Sequence, residues 1–350
     1  MQKLRILVTT IGGLTSPDCL FALANNGERE VFLCGCDSFS GACGREFVDV
    51  FIQSPNSAES KEKFCEFIMQ VSKKYHIDII IPCGNDDNLA LSEYKSHFDI
   101  PIMVGDYKDL LIAYDKLAVY ERLSSTLPQY APKFFAISSF DGLMQAIHTL
   151  GYPQKKCVIK PRFGRGGRGV YILSSPHLEL FSIKPNNEVP LSFFKEALQA
   201  KEGFEALEEL IVMEYLHEPF VSAYSLCLKG ENLLTMEHIR EWGNASQTYR
   251  GLVRYNQSLE ELCGAVIREF KLDYTNNMEL AYSTDNRLVL FDLNPRLGAS
   301  SGVDTYLGLN FPYLALKLAL GEPIAIDKSA LKHKSFRFYR YFTQWWENVP

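Results

Sequence analysis

The first hundred residues alternate short apolar runs with stretches of helical period. The runs are Leu4 to Thr9, Glu30 to Cys34, Ile77 to Pro82 and Ile100 to Val104; Pro17 to Asn25 and Lys61 to Lys74 read as helices between them. That alternation predicts a parallel α/β sheet, with the loops Thr10-Ile-Gly-Gly13 and Cys83-Gly-Asn-Asp-Asp87 at strand ends, where ligands approach such a sheet. Near Leu110 the pattern changes. Ala113-Tyr-Asp-Lys116 opens a helical segment running to Leu123, with Asp115 suited to a helix start, ahead of the breakers Pro128 and Pro132. Residues 157 to 173 read as strand, glycine-rich turn, strand; Leu191 to Glu209 as a helix; Leu210 to Met213 as a strand. Met278 to Ser283 and Leu288 to Leu293 predict a hairpin turning at Thr284-Asp-Asn-Arg287. Aromatics and arginines alternate at period two from His333 to Phe342, ahead of Trp345 and Trp346, which predicts one more strand with a packed and a basic face rather than a nucleic-acid stacking surface.

Composition narrows the classes. The chain has 350 residues, 47% hydrophobic and 22% charged, enough for a folded core. At about 150 residues per unit the length predicts roughly two to three structural units. The net charge of −6 argues against a nucleic-acid binder with a broad basic surface, so an anionic ligand needs a local basic site. Nine scattered cysteines without a CxxC pair point to reduced thiols in the cytoplasm rather than a disulfide frame or zinc site. The apolar run after Met1 breaks at Gly12-Gly13, which reads as a first buried strand and not a signal peptide. No apolar run approaches the roughly 18 residues a membrane helix requires.

The local basic site is Lys160-Pro-Arg-Phe-Gly-Arg-Gly-Gly-Arg-Gly169. Glycines let backbone amides turn toward an anion, while Lys160, Arg162, Arg165 and Arg168 supply charge. It lacks the GxxxxGK[ST] pattern and joins two strands, so it is a candidate phosphate loop of another kind, the alternative being a hairpin with solvated arginines.

The hairpin supplies the second signal. With Asp285 and Asn286 at the tip, Glu279 falls directly opposite Asp292. Directly opposed like charges cost up to about 1 kcal/mol, more when buried, so the placement calls for a cation. Asn294 lies two residues on, on the same face, and completes an all-oxygen donor set suited to magnesium. Arg296 follows after two more, a permanent cation beside the metal.

Asp115-Lys116, Val158-Ile-Lys-Pro161 with its glycine loop, Val212-Met-Glu-Tyr-Leu216, Met278-Glu-Leu280 and Phe291-Asp-Leu-Asn-Pro-Arg296 occur in an order and spacing that resembles the ATP-grasp superfamily, over about residues 4 to 323. Within it, the branch is that of carbamoyl-phosphate synthetase large subunits, biotin carboxylase and amino-acid ligases. The resemblance implies an α/β and α+β protein: a parallel α/β pre-ATP-grasp domain over 1–110, then a two-lobed ATP-grasp fold over 111–325 with a lid at about 120–190. A tail over 326–350 packs on it. It further implies that Lys116 and Lys160 hold the phosphates of ATP, with Arg162, Gly164, Gly166, Gly167 and Gly169 in a lid over them. Met213, Glu214, Tyr215 and Leu216 would form the adenine hinge. Glu279, Asp292 and Asn294 would bind one or two Mg2+ ions, or Mn2+ in their place, and Arg296 would steady the phosphoryl group in flight. Relatives carry acidic residues where this chain has Ala223 and Cys227, which leaves Glu214 or Glu218 for the ribose and a packing role for the other two.

The activity so implied is ATP-dependent ligation of a small-molecule carboxylate to an amine through an acyl phosphate, releasing ADP and phosphate. The alternatives are phosphorylation of bicarbonate or carbamate, and a nucleotide-binding regulatory protein without turnover. Arg240 is the preferred carboxylate clamp, with Arg250 and Arg254 as alternatives; Gly298-Ala-Ser-Ser-Gly302 lines the acceptor pocket or forms a turn; His238 reads as structural. Neither nucleic acid nor membrane is an expected partner, and the tail is a candidate contact for a homodimer.

Overall fold

The computed structural model describes residues 3–164, 168–174, 188–200, 209–244, 247–341, 344 and 346. Arg165, Gly166, Gly167 and Trp345 lie outside the described residues, as does the stretch 201–208 of the expected helix.

The N-terminal strands are β1 (Leu4–Thr9), β2 (Val31–Asp37), β3 (Val50–Gln53) and β4 (Ile79–Pro82), ordered β3-β2-β1-β4 and parallel throughout. Apolar residues on both faces of β1 explain that choice: Ile6 and Val8 enter one core, Leu7 the other, so both faces need cover. Helix α1 (Ser16–Ala24) covers the first face with Cys19, Leu20 and Leu23, and α2 (Lys61–Tyr75) covers the second with Phe64, Cys65 and Ile68. The run Ile100 to Val104 makes only one bridge, Ile102 to Ile80, because Pro101 has no amide to continue a ladder. Helix α3 (Asn85–Glu93) starts directly after β4.

The predicted helix from Ala113 to Leu123 is two helices, α4 (Tyr107–Tyr114) and α5 (Lys116–Thr126). Asp115 separates them in an extended conformation, and its carboxylate accepts the Leu117 and Ala118 amides at 3.1 and 3.4 Å. Lys116 is thereby the first residue of α5.

A second sheet contains β5 (Phe134–Ala136), β6 (Cys157–Pro161), β7 (Tyr171–Leu173), β8 (Glu188–Val189) and β9 (Leu210–Glu214), ordered β5-β9-β6-β7-β8. Strands β6 and β7 pair antiparallel, Cys157 with Leu173, as the glycine turn required. Helices α6 (Phe140–Thr149) and α7 (Leu191–Ala200) close its core through Leu143, Ile147 and Phe194.

The third sheet is antiparallel: β10 (His217–Leu228), β11 (Glu231–Gly243), β12 (Thr248–Tyr255), β13 (Tyr274–Tyr282), β14 (Leu288–Asn294) and β15 (Ser335–Tyr339), ordered β14-β13-β10-β11-β12-β15. Helix α8 (Gln257–Phe270) covers one face, meeting Ala223, Cys227, Met278 and Leu280. Ala223 and Cys227 are fully buried there, so packing is what occupies the two places that are acidic in relatives. On the other face Leu226, Leu234 and Met236 share the first core of the N-terminal sheet, together with α9 (Phe311–Ala319). The tail strand β15 pairs with β12, Phe338 opposite Gly251, and alternates exposed Arg337 and Tyr339 with half-buried Phe336 and Phe338, as its period predicted.

The β13–β14 register holds one surprise. Glu279 does pair with Asp292, but nearer the turn Leu280 pairs with Leu290 and Tyr282 with Leu288. Phe291 is an extra residue, a β-bulge that carries the ladder from the register set by the turn into the one that opposes the two carboxylates.

All nine cysteines are unpaired, and among the described residues no helix is long and apolar enough to cross a membrane.

Candidate active site

Cross-strand partners share a face, so the pairings draw the floor of the site. Ser222 of β10 pairs with His238 on one side and Glu279 on the other, and Glu279 pairs with Asp292. The adjacent row runs Met236, Tyr224, Asn277, Asn294. The three oxygen donors read from the sequence therefore stand together on two neighbouring strands.

Around them lies a dense polar shell. The Glu279 carboxylate accepts the Ser222 hydroxyl at 2.9 and 3.0 Å and the Asn277 amide at 2.9 Å, and the Arg240 guanidinium stands 3.8 Å away. Burial, with Asp292 adding to it, holds the Glu279 carboxyl above the usual range against the pull of Arg240 and Arg296. Asp292 goes the other way: burial pushes it up, but Lys116 and Lys160 outweigh that and hold it low. Lys116 Nζ is 3.0 Å from Asp292 Oδ1 and donates to the Gly164 carbonyl at 2.8 Å, so it ties the root of the glycine loop to the hairpin. Asn294 Nδ2 donates to Asp292 Oδ2 at 3.1 Å.

Lys160 is buried. Its Nζ donates to the Phe291 carbonyl at 2.8 Å and to the Tyr120 hydroxyl at 2.6 Å, and Tyr120 in turn donates to the same carbonyl at 2.6 Å. Burial, aided by neighbouring Lys116 and opposed by Asp292, brings its ammonium down to about 7. Arg296 donates to Asn85 Oδ1 at 2.7 Å, to the Leu297 carbonyl at 2.6 Å and to Asn294 Oδ1 at 3.3 Å.

Two of the expected site residues are engaged with protein partners. Arg162 forms a bidentate pair with Asp115, Nε to Oδ1 at 2.7 Å, and so fastens the loop's first residue to the cap of α5. The Glu214 carboxylate accepts the Lys133 amide at 2.8 Å and the Thr284 amide and hydroxyl at 3.2 and 3.0 Å; it is buried and fully engaged, which leaves exposed Glu218 as the ribose candidate. Met213 is buried beside Tyr120, while Tyr215 and Leu216 form the link from β9 to β10, that is, between the two sheets. Gly169 has φ +73° beside Pro161, a left-handed position that favours glycine.

Of the three arginines weighed as the acceptor clamp, Arg254 pairs with Glu237 at 2.5 Å, on the face away from Glu279, and Arg250 pairs with Glu241 at 3.1 Å. Arg240 alone among them reaches the Glu279 face, steadied by Thr248 Oγ1 at 3.1 Å and the Asn244 carbonyl at 3.0 Å. His238 donates Nε2–H to the Asp304 carboxylate, 2.9 Å away, and stacks on Tyr224 with centroids 4.5 Å apart, a buried structural pair. Gly298 passes so close to Tyr224 that a Cβ would lie 2.4 Å from the ring, and Ser300 N donates to the Tyr224 hydroxyl at 3.1 Å. Arg340, at the end of the tail strand, bridges Asp18 of α1 at 2.9 Å and Ser300 Oγ at 3.1 Å.

Ser222, Asn277, Tyr120 and Asn85 were not singled out from the sequence. Asn277 had a signal: it lies two residues before Glu279, opposite Asn294 in the same register. Tyr120 sits four residues after Lys116, one turn along the same helix. Ser222 and Asn85 needed the tertiary pairing.

Among the described residues no group of three His, Cys, Asp or Glu side chains gathers for a metal, and the set expected from the sequence is two carboxylates and an amide. That set fits a magnesium ion shared with phosphates, which draws few ligands from the protein, and the opposed carboxylates supply the negative charge it needs.

Comparison with known proteins agrees with this geometry. Residues 206–340 match the family described as ATP-grasp in the biosynthetic pathway with Ter operon. No curated protein sequence matches. Among solved structures, N5-carboxyaminoimidazole synthetase from Staphylococcus aureus with ADP aligns at TM-score 0.65 and 17% identity, over 93% of this chain and 79% of that one. L-amino acid ligase from Bacillus licheniformis aligns at 0.65 and 13%, over 91% and 75%. The biotin carboxylase domain of Hydrogenobacter thermophilus 2-oxoglutarate carboxylase, with MgADP, ADP and bicarbonate, aligns at 0.70 and 14%, over 95% and 73%. With a parallel α/β unit ahead of two linked sheets and with Lys116 and Lys160 beside a carboxylate hairpin, the chain shares the fold of these structures, and within it residues 206–340 are similar to an ATP-grasp family.

Proposed function

We propose that the protein is an ATP-dependent carboxylate–amine ligase: ATP phosphorylates a small-molecule carboxylate, and an amine displaces phosphate from the acyl phosphate, leaving ADP, phosphate and an amide. The observation that carries the reading is the Glu279–Asp292 pair, with Asn294 beside it, Lys116 3.0 Å from Asp292 and the charge of Lys160 acting on Asp292 from a further element. A magnesium ion held by Glu279, Asp292 and Asn294 supplies charge neutralisation for the phosphates. Lys116 and Lys160 bind those phosphates, the segment starting at Gly164 covers them, and the link at Tyr215 and Leu216 receives the base. Arg296 faces the group being transferred, where its permanent charge counters what develops there, and Arg240 holds the acceptor carboxylate. Positioning and neutralisation are the whole demand of this chemistry, so no side-chain nucleophile is needed.

Two structural neighbours favour keeping bicarbonate among the acids tested, since one holds bicarbonate in its structure and another is a carboxyaminoimidazole synthetase. The test is magnesium-dependent ATP turnover over pooled amino acids, hydroxy acids and bicarbonate with ammonia, resolving ADP from AMP, with Asp292→Asn alongside. ADP and phosphate appearing only with one acid and one amine, and lost in the variant, is the expected result. AMP and pyrophosphate would overturn the acyl-phosphate route, and ATP binding without turnover in any pool would favour the regulatory reading.

A further inference from the structure

Arg296 has three acceptors, and they differ in origin. Asn294 and Leu297 are its own chain neighbours and travel with β14. The third, Asn85, is 211 residues away in sequence and belongs to the N-terminal α/β unit. It takes Nε–H at 2.7 Å, and because the five N–H donors of a guanidinium form one rigid planar fork, this contact adds to the two local ones a fixed point outside the arginine's own loop.

The mount behind Asn85 is unusually firm. Asn85 is the first residue of α3, and two positions on, the buried Asp87 carboxylate accepts three hydroxyls: Thr9 at 2.5 Å, Thr10, and Ser57 at 2.5 Å. Asn88 Nδ2 donates to the Pro82 and Gly84 carbonyls at 3.2 and 3.0 Å, pinning the same turn to the end of β4. The first turn of α3 is thus locked to β1 and to the loops on both sides. Half-buried Asn85 is the residue by which this locked turn reaches the hairpin. A long arginine held only by its own loop would swivel; a charge that acts on a transferring phosphoryl group must be aimed beforehand.

From this we infer that Asn85 is a positioning residue for Arg296: the N-terminal unit, through one side-chain carbonyl on a rigid helix start, sets the orientation of the arginine that meets the phosphoryl group. The inference rests on the function proposed above, and it gives the N-terminal unit a part in the phosphoryl step. Asn85 itself touches no substrate in this scheme.

The experiment compares MgADP with MgADP plus aluminium fluoride, a mimic of the phosphoryl group in transit, by calorimetric titration of the full chain. Wild type is expected to bind the fluoride complex more tightly than MgADP, and Arg296→Ala to lose most of that gain. Asn85→Ala should weaken the fluoride complex about tenfold, a typical cost for losing an outer hydrogen-bond partner, with MgADP affinity and thermal midpoint unchanged. Asn85→Asp, which keeps an acceptor for Nε–H, should restore the gain, and Asn85→Ala should add nothing in the Arg296→Ala background. Equal fluoride-complex affinity in wild type and Asn85→Ala overturns the inference, as does a loss of the same size for MgADP alone, which marks a merely structural contact. A wild type that gains nothing from aluminium fluoride overturns the phosphoryl-transfer reading itself, before any variant is compared.

Discussion

Glu279 and Asp292 stand directly opposite one another across the β13–β14 hairpin, yet their carboxyls are displaced in opposite directions, Glu279 upward and Asp292 downward. The asymmetry comes from the lysines: Lys116 and Lys160 serve Asp292, while Glu279 has only the more distant Arg240 and Arg296. A half-neutralised pair of this kind is a cradle awaiting positive charge.

Replacing Glu279 by Gln should therefore stabilise the metal-free protein while removing magnesium-dependent nucleotide binding. The raised carboxyl contributes stability only below the ordinary glutamate range of about 4.3 and loses it as pH rises through the folded-state value. The variant's advantage should then grow with pH and level off above that value, reaching roughly 1–3 °C in thermal midpoint near neutrality. Differential scanning calorimetry between pH 4 and pH 8, with and without magnesium, reads both effects.

Lys160 predicts a proton linkage. Burial brings its ammonium down to about 7 in the ligand-free protein, and a polyphosphate beside it favours the charged form. Nucleotide binding should take up protons at pH 7.5–8 and few at pH 6, and this group's contribution to affinity should weaken as pH rises from 7 to 9. Titration calorimetry in buffers of different ionisation heat measures the uptake, which Lys160→Met should abolish.

Glu214 should behave as a structural residue. Truncation to Ala leaves the Lys133 amide and both Thr284 donors without their acceptor, at a cost of about 2–3 kcal/mol. Urea unfolding should show the loss. Nucleotide affinity at a temperature where the variant is folded should change far less than in Lys116→Ala.

The Arg162–Asp115 pair predicts a different division. Asp115→Ala removes a helix cap worth about 1 kcal/mol as well as the anchor of Arg162. It should lower the unfolding midpoint and also weaken nucleotide binding, since Lys116 begins the helix that Asp115 caps. Arg162→Ala should weaken binding with a smaller stability loss, and the two measurements together separate the effects.

The N-terminal sheet was readable because both faces of β1 are apolar, a pattern no surface strand shows. The hairpin was readable because its turn residues and alternation are strong. The opposition of Glu279 to Asp292 was reached by assuming a register that the residues next to the turn do not keep, and nothing in Phe291 announces the bulge that makes the pairing come out as expected. The division of α4 from α5 at Asp115 was half visible: the aspartate was seen as a helix start, but the four residues before it are as helical as those after. Strands β10 to β12 were barely legible from local pattern, because one face meets α8 and the other meets a different core, and both select apolar residues. Arg162 and Glu214 were assigned by motif; only their neighbours reveal that each is already committed.

Because Phe291 is the bulged residue, its carbonyl lies outside the ladder and receives Lys160 and Tyr120. The anchor of a central lysine is thus a main-chain atom, which every amino acid possesses. Point substitution at 291 can alter packing against Phe220 but cannot delete that oxygen, whereas loss of one residue from the strand would remove the anchor and shift Glu279 out of line with Asp292 in a single event. The site is in this respect tolerant of changed letters and intolerant of changed length.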